Sequence, residues 1–205
     1  MNVESVSATT SILQRLRAET RRHHNFIETA LERMSDAITL GTYHQTLARF
    51  HGFYRPLEVG MQSVGEWADR GPDFAGRRKT QLLEADLRAL SVGYTAELLL
   101  CTDLPPHAMV ATVATAFGCL YMLEGATLDR HVISRALEKS LGITPQAGGQ
   151  FFYGYGERTG KMWQVFGAAL TSFAVTPYDH DEIVSAAEDT FTKLHRWNET
   201  GGRHQ

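Results

Sequence analysis

In the stretch "LRAETRRHHNFIE", Leu16–Glu28, the spacing of apolar residues decides the fold, and two histidines stand side by side. Apolar residues recur at steps of three and four from Thr10 to Met34, as on one face of an α-helix. At about 100° per residue, His23 lies near one edge of this apolar stripe and His24 near the other. Periodicity therefore leaves open which histidine, if either, binds a metal.

The same helical period continues along the chain, and no alternating apolar runs joined by two-residue turns predict a sheet. Helices are predicted at about 10–34, 43–67, 77–90, 106–141, 161–173 and 179–200. Gly142 is expected to end the fourth helix, and the glycine-rich segment 144–160 to form a packed loop. The sequence thus predicts an all-α, single-domain bundle of about six to eight helices spanning residues 1–205, with 1–9 and 201–205 disordered.

Composition argues against several classes of protein. The 205 residues have a formal net charge of −3, so no overall basic field favours binding to nucleic acid. The segment Leu104–Leu123 is long enough to span a membrane, but it opens with two prolines and is followed at once by Glu124, which favours a buried helix. Cys101 and Cys119 are too few for a disulfide framework, and no secretory signal is visible at the N-terminus. We therefore expect a cytoplasmic protein.

The neighbours of the two histidines differ. Arg17 and Glu28 lie on the His24 edge of the stripe, whereas Ile12 and Ala30 flank His23. A cofactor that is mostly apolar but carries anionic groups requires a ligand at the border between core and solvent, with a cation nearby. The His24 edge has these features, although a histidine at a helix edge is more often an ordinary side chain than a ligand.

The fourth predicted helix carries two glycines, Gly118 and Gly125, on the same face as Tyr121. Each interior glycine costs a helix about 1 kcal/mol relative to alanine. Such a cost has two explanations: close packing against another helix, or a flat ligand lying against the exposed backbone. The sequence does not choose between them.

Three stretches resemble the heme oxygenase family. The first helix of that family follows the pattern L-K/R-x-x-T-x-x-x-H-x-x-x-E, which this chain matches at Leu16, Arg17, Thr20, His24 and Glu28. The stretch "GCLYMLEGATLDRHVISRAL" (118–137) resembles the distal helix of bacterial members, including the type associated with bacteriophytochromes, and "FFYGYGERTGKMW" (151–163) is similar to the same branch. The likeness extends in order from about residue 12 to 197.

The resemblance implies that heme is both cofactor and substrate, and that O2 and reducing electrons convert it to biliverdin, CO and iron. It implies His24 as the iron ligand and Arg17 as partner of a heme propionate, with Lys161 and Arg158 as weaker candidates for that role. A ferredoxin- or flavodoxin-type electron donor and a bacteriophytochrome as acceptor of biliverdin are the implied partners. Further expected cofactor-binding residues are Glu28, Tyr121, Gly125, Leu128, Asp129 and Phe191, of which Gly125 and Asp129 are expected to act in catalysis.

One departure from the family bears on turnover. Asp129-Arg130 stands where the family usually has Gly-Gly, so a side chain would project toward the space used by oxygen. A heme-binding carrier or sensor without turnover is therefore the alternative function. A thiaminase-like or di-iron protein on the same kind of fold ranks last, because Cys119 lies just outside the face in question and no Glu-x-x-His pair occurs.

Overall fold

The computed structural model describes residues 10–90, 100–101, 110–125 and 131–200, except for the side chains at 33, 34, 131 and 132. Within these ranges every regular element is helical, which confirms the all-α fold expected from the sequence. The α-helices are α1 (Ile12–Glu19), α2 (Arg21–Asp36), α3 (Leu40–Gln62), α4 (Trp67–Arg70), α5 (Thr80–Leu90), α6 (Val113–Gly125), α7 (His131–Leu141), α8 (Gln150–Tyr153), α9 (Thr159–Phe173) and α10 (Pro177–Glu199). Two short 3₁₀ turns, Ala75–Arg77 and Gly156–Arg158, precede α5 and α9.

The first helix expected from the sequence is two helices in the structure. Ser11 caps α1 by accepting a hydrogen bond from the amide of Gln14, and α1 ends at Glu19, followed by Thr20 with φ −92° and ψ 3°. The hydroxyl of Thr20 donates to the carbonyl of Leu16 at 2.7 Å, a bond of the kind that often bends helices. The single helix predicted over 10–34 is therefore wrong in this detail, because periodicity does not register a local side-chain bond.

Other boundaries follow local signals. Thr39 caps α3, which continues through Pro56 and ends at Gln62, earlier than the predicted limit at Trp67. Gly142 follows α7 with φ +66°, a left-handed conformation that suits glycine, and so confirms the predicted end. The segment 144–160, expected to be a loop, contains the short helix α8 and the second 3₁₀ turn.

The centre of the molecule is the packing of α6 against α10. Nearly every side chain of α6 is buried, and Gly118 faces α10 so closely that a Cβ there would lie 2.7 Å from Cβ of Ala186 and 2.9 Å from the amide nitrogen of Ala187. Real Cβ atoms do not approach so closely without displacement of a neighbour. Of the two explanations for Gly118, the structure therefore supports close helix packing.

The remaining helices surround this pair. The α1 helix packs against α9 and α10, α2 against α7 and α10, and α3 against α5. Phe151 and Phe152 are fully buried beside Phe50 and Tyr54, with ring centroids 5.1–6.1 Å apart in the contacts they make with Phe50 and each other. These two phenylalanines are core residues, so the segment 144–160 is packed as expected.

Cys101 and Cys119 are both buried and unbridged. In the part of the chain that the structure describes, no helix combines the length and the apolar character needed to cross a bilayer.

Candidate functional site

The His24 imidazole lies in the first turn of α2, facing α6 and α10. It is half-buried, and its ring centroid lies 5.0 Å from that of Phe191 on α10 and 5.9 Å from that of Tyr121 on α6, both in edge arrangements. The Nε2 atom is 3.4 Å from the hydroxyl oxygen of Tyr121. Three of the residues expected at the site from the sequence are thus brought together by three different helices.

Gly125 completes this contact from the end of α6. A Cβ at Gly125 would lie 3.1 Å from Cε1 and 3.9 Å from Nε2 of His24, so the imidazole occupies the space that a side chain would fill. Gly118 and Gly125 therefore have different roles: the first admits α10 and the second admits the histidine. Because the imidazole contacts Gly125 directly, a planar ligand enters between α2 and α6 only if the two separate here.

His23 has a different environment from its neighbour. It is buried, and its ring stacks on Phe191 with centroids 5.3 Å apart and an interplanar angle of 8°. Its ring also lies 5.1 Å from that of His195, and its Nε2 accepts a hydrogen bond from Nε of Arg22 at 3.3 Å. Burial lowers the pKa of His23 and favours the neutral form. His23 is thus a packing residue between α2 and α10, whereas His24 faces α6.

Tyr121 links this contact to a cation at the surface. Its hydroxyl oxygen lies 3.5 Å from Oγ1 of Thr20, and Tyr121 is 3% exposed. Burial raises the pKa of Tyr121, while the nearby positive charge of Arg17 acts in the opposite direction. Arg17 itself is exposed, as is Glu28 one turn beyond His24. Arg17 therefore contributes positive charge at the surface on this side of the molecule, where an anionic group would be attracted.

Sequence reasoning did not find Trp163, which brings α9 to the site. Its ring centroid lies 5.9 Å from that of Tyr121. Lys161, two residues earlier, is exposed in the first turn of α9, and Arg158 is exposed in the preceding 3₁₀ turn. The stretch "FFYGYGERTGKMW" contained Trp163, but an aromatic residue at helical spacing signals burial rather than a particular partner.

A second missed feature is an ionic contact behind Gly125. The carboxylate of Glu124, 1% exposed, accepts a hydrogen bond from the hydroxyl of Tyr155 at 2.5 Å and lies 3.2 Å from Nη1 of Arg77. The sequence signal for this contact was Glu124 itself, a single carboxylate directly after the apolar segment Leu104–Leu123. From the sequence alone, this residue argued only against a membrane span. Leu128, Asp129 and Arg130, expected on the oxygen side of the cofactor, lie outside the described residues.

No curated protein matches the sequence. Three solved structures of similar fold are heme oxygenases. The structure of the Neisseria meningitidis enzyme in its NO- and CO-bound forms has a TM-score of 0.77 and 20% sequence identity, and the match covers 95% of this chain and 94% of that one. The enzyme of Leptospira interrogans has a TM-score of 0.76 and 16% identity, with 92% of this chain and 99% of that one covered, and heme oxygenase-1 of the cyanobacterium Synechocystis in complex with heme has a TM-score of 0.69 and 15% identity, with 92% and 91% covered.

These likenesses establish the all-α fold over nearly the whole chain. The sequence profile of the heme oxygenase family matches residues 10–200, which include His24, Tyr121, Gly125 and Phe191. The chain belongs to the heme oxygenase family.

Proposed function

We propose that this enzyme binds heme between α2 and α6, with Nε2 of His24 as the iron ligand, and cleaves it to biliverdin, CO and iron. The observation that carries this proposal is the position of His24, the histidine of the pair that faces α6, against Gly125 and Tyr121. When bound, heme supplies the iron at which O2 is activated, and the protein supplies placement and protons.

The residues around His24 suit the chemistry of heme. Phe191 is an apolar ring beside His24, Gly125 has no side chain to obstruct a flat ligand, and a neutral imidazole nitrogen is a common ligand of heme iron. In this proposal the guanidinium of Arg17, which is exposed and whose charge acts on Tyr121, pairs with an anionic propionate, and Lys161 is a weaker candidate for that role. Glu28 is assigned an orienting role for His24 through water.

Heme entry requires α2 to move. The break at Thr20 separates α2 from α1, and α1 is held by its own contacts with α9 and α10. In this proposal α2 shifts about Thr20, taking the imidazole of His24 out of contact with Gly125, while the rest of the bundle stays packed. The hinge belongs at Thr20 because the helical dihedral angles are interrupted there.

The residues assigned to the oxygen-binding face of the heme, and the protein partners, are proposed from the family resemblance. Leu128 and Asp129 are assigned to the face of the cofactor opposite His24, where Asp129-Arg130 replaces the usual glycine pair. A ferredoxin- or flavodoxin-type protein is proposed as electron donor, and a bacteriophytochrome as acceptor of biliverdin. Two buried, unbridged cysteines are consistent with a reducing compartment such as the cytoplasm.

The test is titration of the apo protein with hemin, for wild type and for His24→Ala. We expect the wild type to form a 1:1 complex with a sharp Soret band, and His24→Ala to give a shifted or weakened band that added imidazole restores. His23→Phe is the matched control, because it keeps the ring that stacks on Phe191 and should leave the spectrum unchanged. Identical spectra for wild type and His24→Ala would contradict the assignment.

Turnover is tested on the same complexes with a ferredoxin system or ascorbate in air. Loss of the heme band with formation of biliverdin supports heme oxygenase activity, and a stable complex supports a carrier or sensor. If the Asp129 side chain restricts oxygen, Asp129→Gly should accelerate biliverdin formation without changing the hemin titration.

A further inference from the structure

A group of charged side chains is buried around Glu124 of α6, and none of these side chains has a role in the heme proposal. Glu58, Arg77, Lys79 and Glu124 are each at most 2% exposed. Burying a charge is costly unless the charge is paired and hydrogen-bonded. Two carboxylates and two cations are buried together here, so the way in which they are paired requires a physical explanation.

Glu124 is the member of this group that belongs to α6. Its Oε1 accepts a hydrogen bond from the hydroxyl of Tyr155 at 2.5 Å, and its Oε2 lies 3.2 Å from Nη1 of Arg77. Nη2 of Arg77 donates to the carbonyl of Met162 on α9 at 3.0 Å. Nζ of Lys79 lies 3.3 Å from the ring centroid of Tyr155, a cation–π contact that holds this ring from its face. One carboxylate thus joins α6 to the turn before α5 and to the segment leading into α9.

This carboxylate is adjacent in sequence to the glycine that contacts His24. Successive residues of an α-helix point about 100° apart, so the face bearing Glu124 differs from the face that Gly125 and Tyr121 turn toward α2. Holding Glu124 from behind therefore fixes how far α6 can rotate about its axis. A rotation would move Gly125 and Tyr121 relative to the imidazole.

We propose that Glu124 is a positioning residue for the heme site: Arg77 and Tyr155 hold its carboxylate and thereby set where Gly125 stands opposite His24. This inference rests on the proposed heme site. The ion pair fixes the α6 wall during heme entry, when α2 moves and the contact between Gly125 and His24 is lost. Its role thus differs from that of Gly118, which sets only the distance between α6 and α10.

Glu58 supplies a matched control within the same region. It is equally buried, on α3, and accepts hydrogen bonds from the amides of Lys79 and Thr80 at the start of α5, the latter at 3.1 Å. It also lies 3.5 Å from Nε of Arg78. Loss of its charge should weaken the fold in the same neighbourhood, but the hydrogen bonds and the ion pair that Glu58 makes within the described residues join α3 to residues 78–80 at the start of α5.

The experiment compares wild type, Glu124→Gln and Glu58→Gln. For each protein we measure the thermal unfolding midpoint of the apo chain, the rate of hemin loss to excess apomyoglobin, and the C–O stretching frequency of the hemin-loaded protein after reduction and addition of CO. Both variants should lower the unfolding midpoint. Only Glu124→Gln should accelerate hemin loss, by about tenfold or more, and shift the C–O frequency, because outer contacts of a metal site typically carry effects of this size.

A second variant covers the case in which Glu124→Gln does not fold. Tyr155→Phe keeps the ring over Lys79 and the ion pair with Arg77 but removes one hydrogen bond to Glu124, and it should move hemin loss and the C–O frequency in the same direction by less. Wild-type values for both measurements in Glu124→Gln and Tyr155→Phe would overturn the positioning role, as would an equal change in Glu58→Gln. A wild type that binds hemin independently of His24 would instead overturn the proposed heme site, and the His24→Ala titration identifies that case.

Discussion

At the scale of the residue, two adjacent histidines show how packing separates side chains of one type. His23 is stacked between α2 and α10 on Phe191, while His24, one position along, lies against Gly125 and Tyr121 of α6. A helix turns about 100° per residue, so neighbours face different elements. The difference in role proposed for them follows from which helix each one meets.

Burial of a third histidine predicts a dependence of stability on pH. His51 on α3 is 1% exposed, and burial lowers its pKa although its Nε2 lies 3.4 Å from Oε1 of Glu84. Between the lowered folded value and the unfolded value of about 6.5, the unfolded chain binds more protons. The contribution of neutral His51 to the free energy of unfolding is therefore fully present above the unfolded pKa, and it is lost as pH falls through the folded pKa. Burial also lowers the pKa values of His23, His44 and His195, which add to the effect.

We expect His51→Gln to remove part of this loss, because glutamine is polar but does not titrate. The contribution is about 1.4 kcal/mol for each unit by which the folded and unfolded pKa values differ. Urea unfolding of apo wild type and His51→Gln from pH 8 to pH 5 measures it. The two proteins should have parallel curves above pH 7 and diverge below it, and curves that stay parallel to pH 5 would refute the prediction.

At the scale of the element, the contact between α6 and α10 depends on a missing side chain. Gly118 lets the backbone of α6 approach Ala186 and Ala187, and it costs α6 some intrinsic helix stability in exchange for close packing. The sequence shows that Gly118 lowers the helix propensity of α6, but it does not show which neighbouring element packs against this glycine and offsets the loss.

Two glycine-to-alanine substitutions separate packing from helix propensity. Gly118→Ala should lower the free energy of unfolding by about 1–3 kcal/mol, because the new methyl group overfills the contact with α10. Gly160→Ala, in the first turn of α9, has open space for its Cβ and should raise the free energy of unfolding by about 0.5 kcal/mol through helix propensity. Urea unfolding of the apo proteins distinguishes them, and an unchanged midpoint in Gly118→Ala would show that α6 and α10 can move apart without cost.

At the scale of the whole molecule, the beginning and end of the described chain are in contact. The α1 helix packs against α9 and α10, and the same α10 packs along α6 and also meets α2 and α3. One helix near the end of the chain thus connects elements from its start and its middle. Loss of α10 would expose the buried faces of the four helices that pack against it, which is the basis for treating the chain as one cooperative unit.

We therefore expect a single unfolding transition, by calorimetry and by circular dichroism, for the apo protein. Excess hemin should raise the midpoint of the wild type, since a ligand at a hundred times its dissociation constant stabilises the folded state by about 2.7 kcal/mol. The rise should be much smaller in His24→Ala. Two separate transitions in the apo protein would show that the helices do not form one domain.

The sequence by itself determined the helical class and most of the helix limits, because periodicity, caps and short motifs are local properties of a chain, and through resemblance it predicted His24 as the ligand. Only the tertiary structure decided that Gly118 meets α10 while Gly125 meets His24, and that Glu124 pairs with Arg77 and Tyr155. These contacts join residues far apart along the chain. Which of them form depends on how whole helices rotate and pack to bury apolar surface, and spacing within one helix carries no information about the element that will face it.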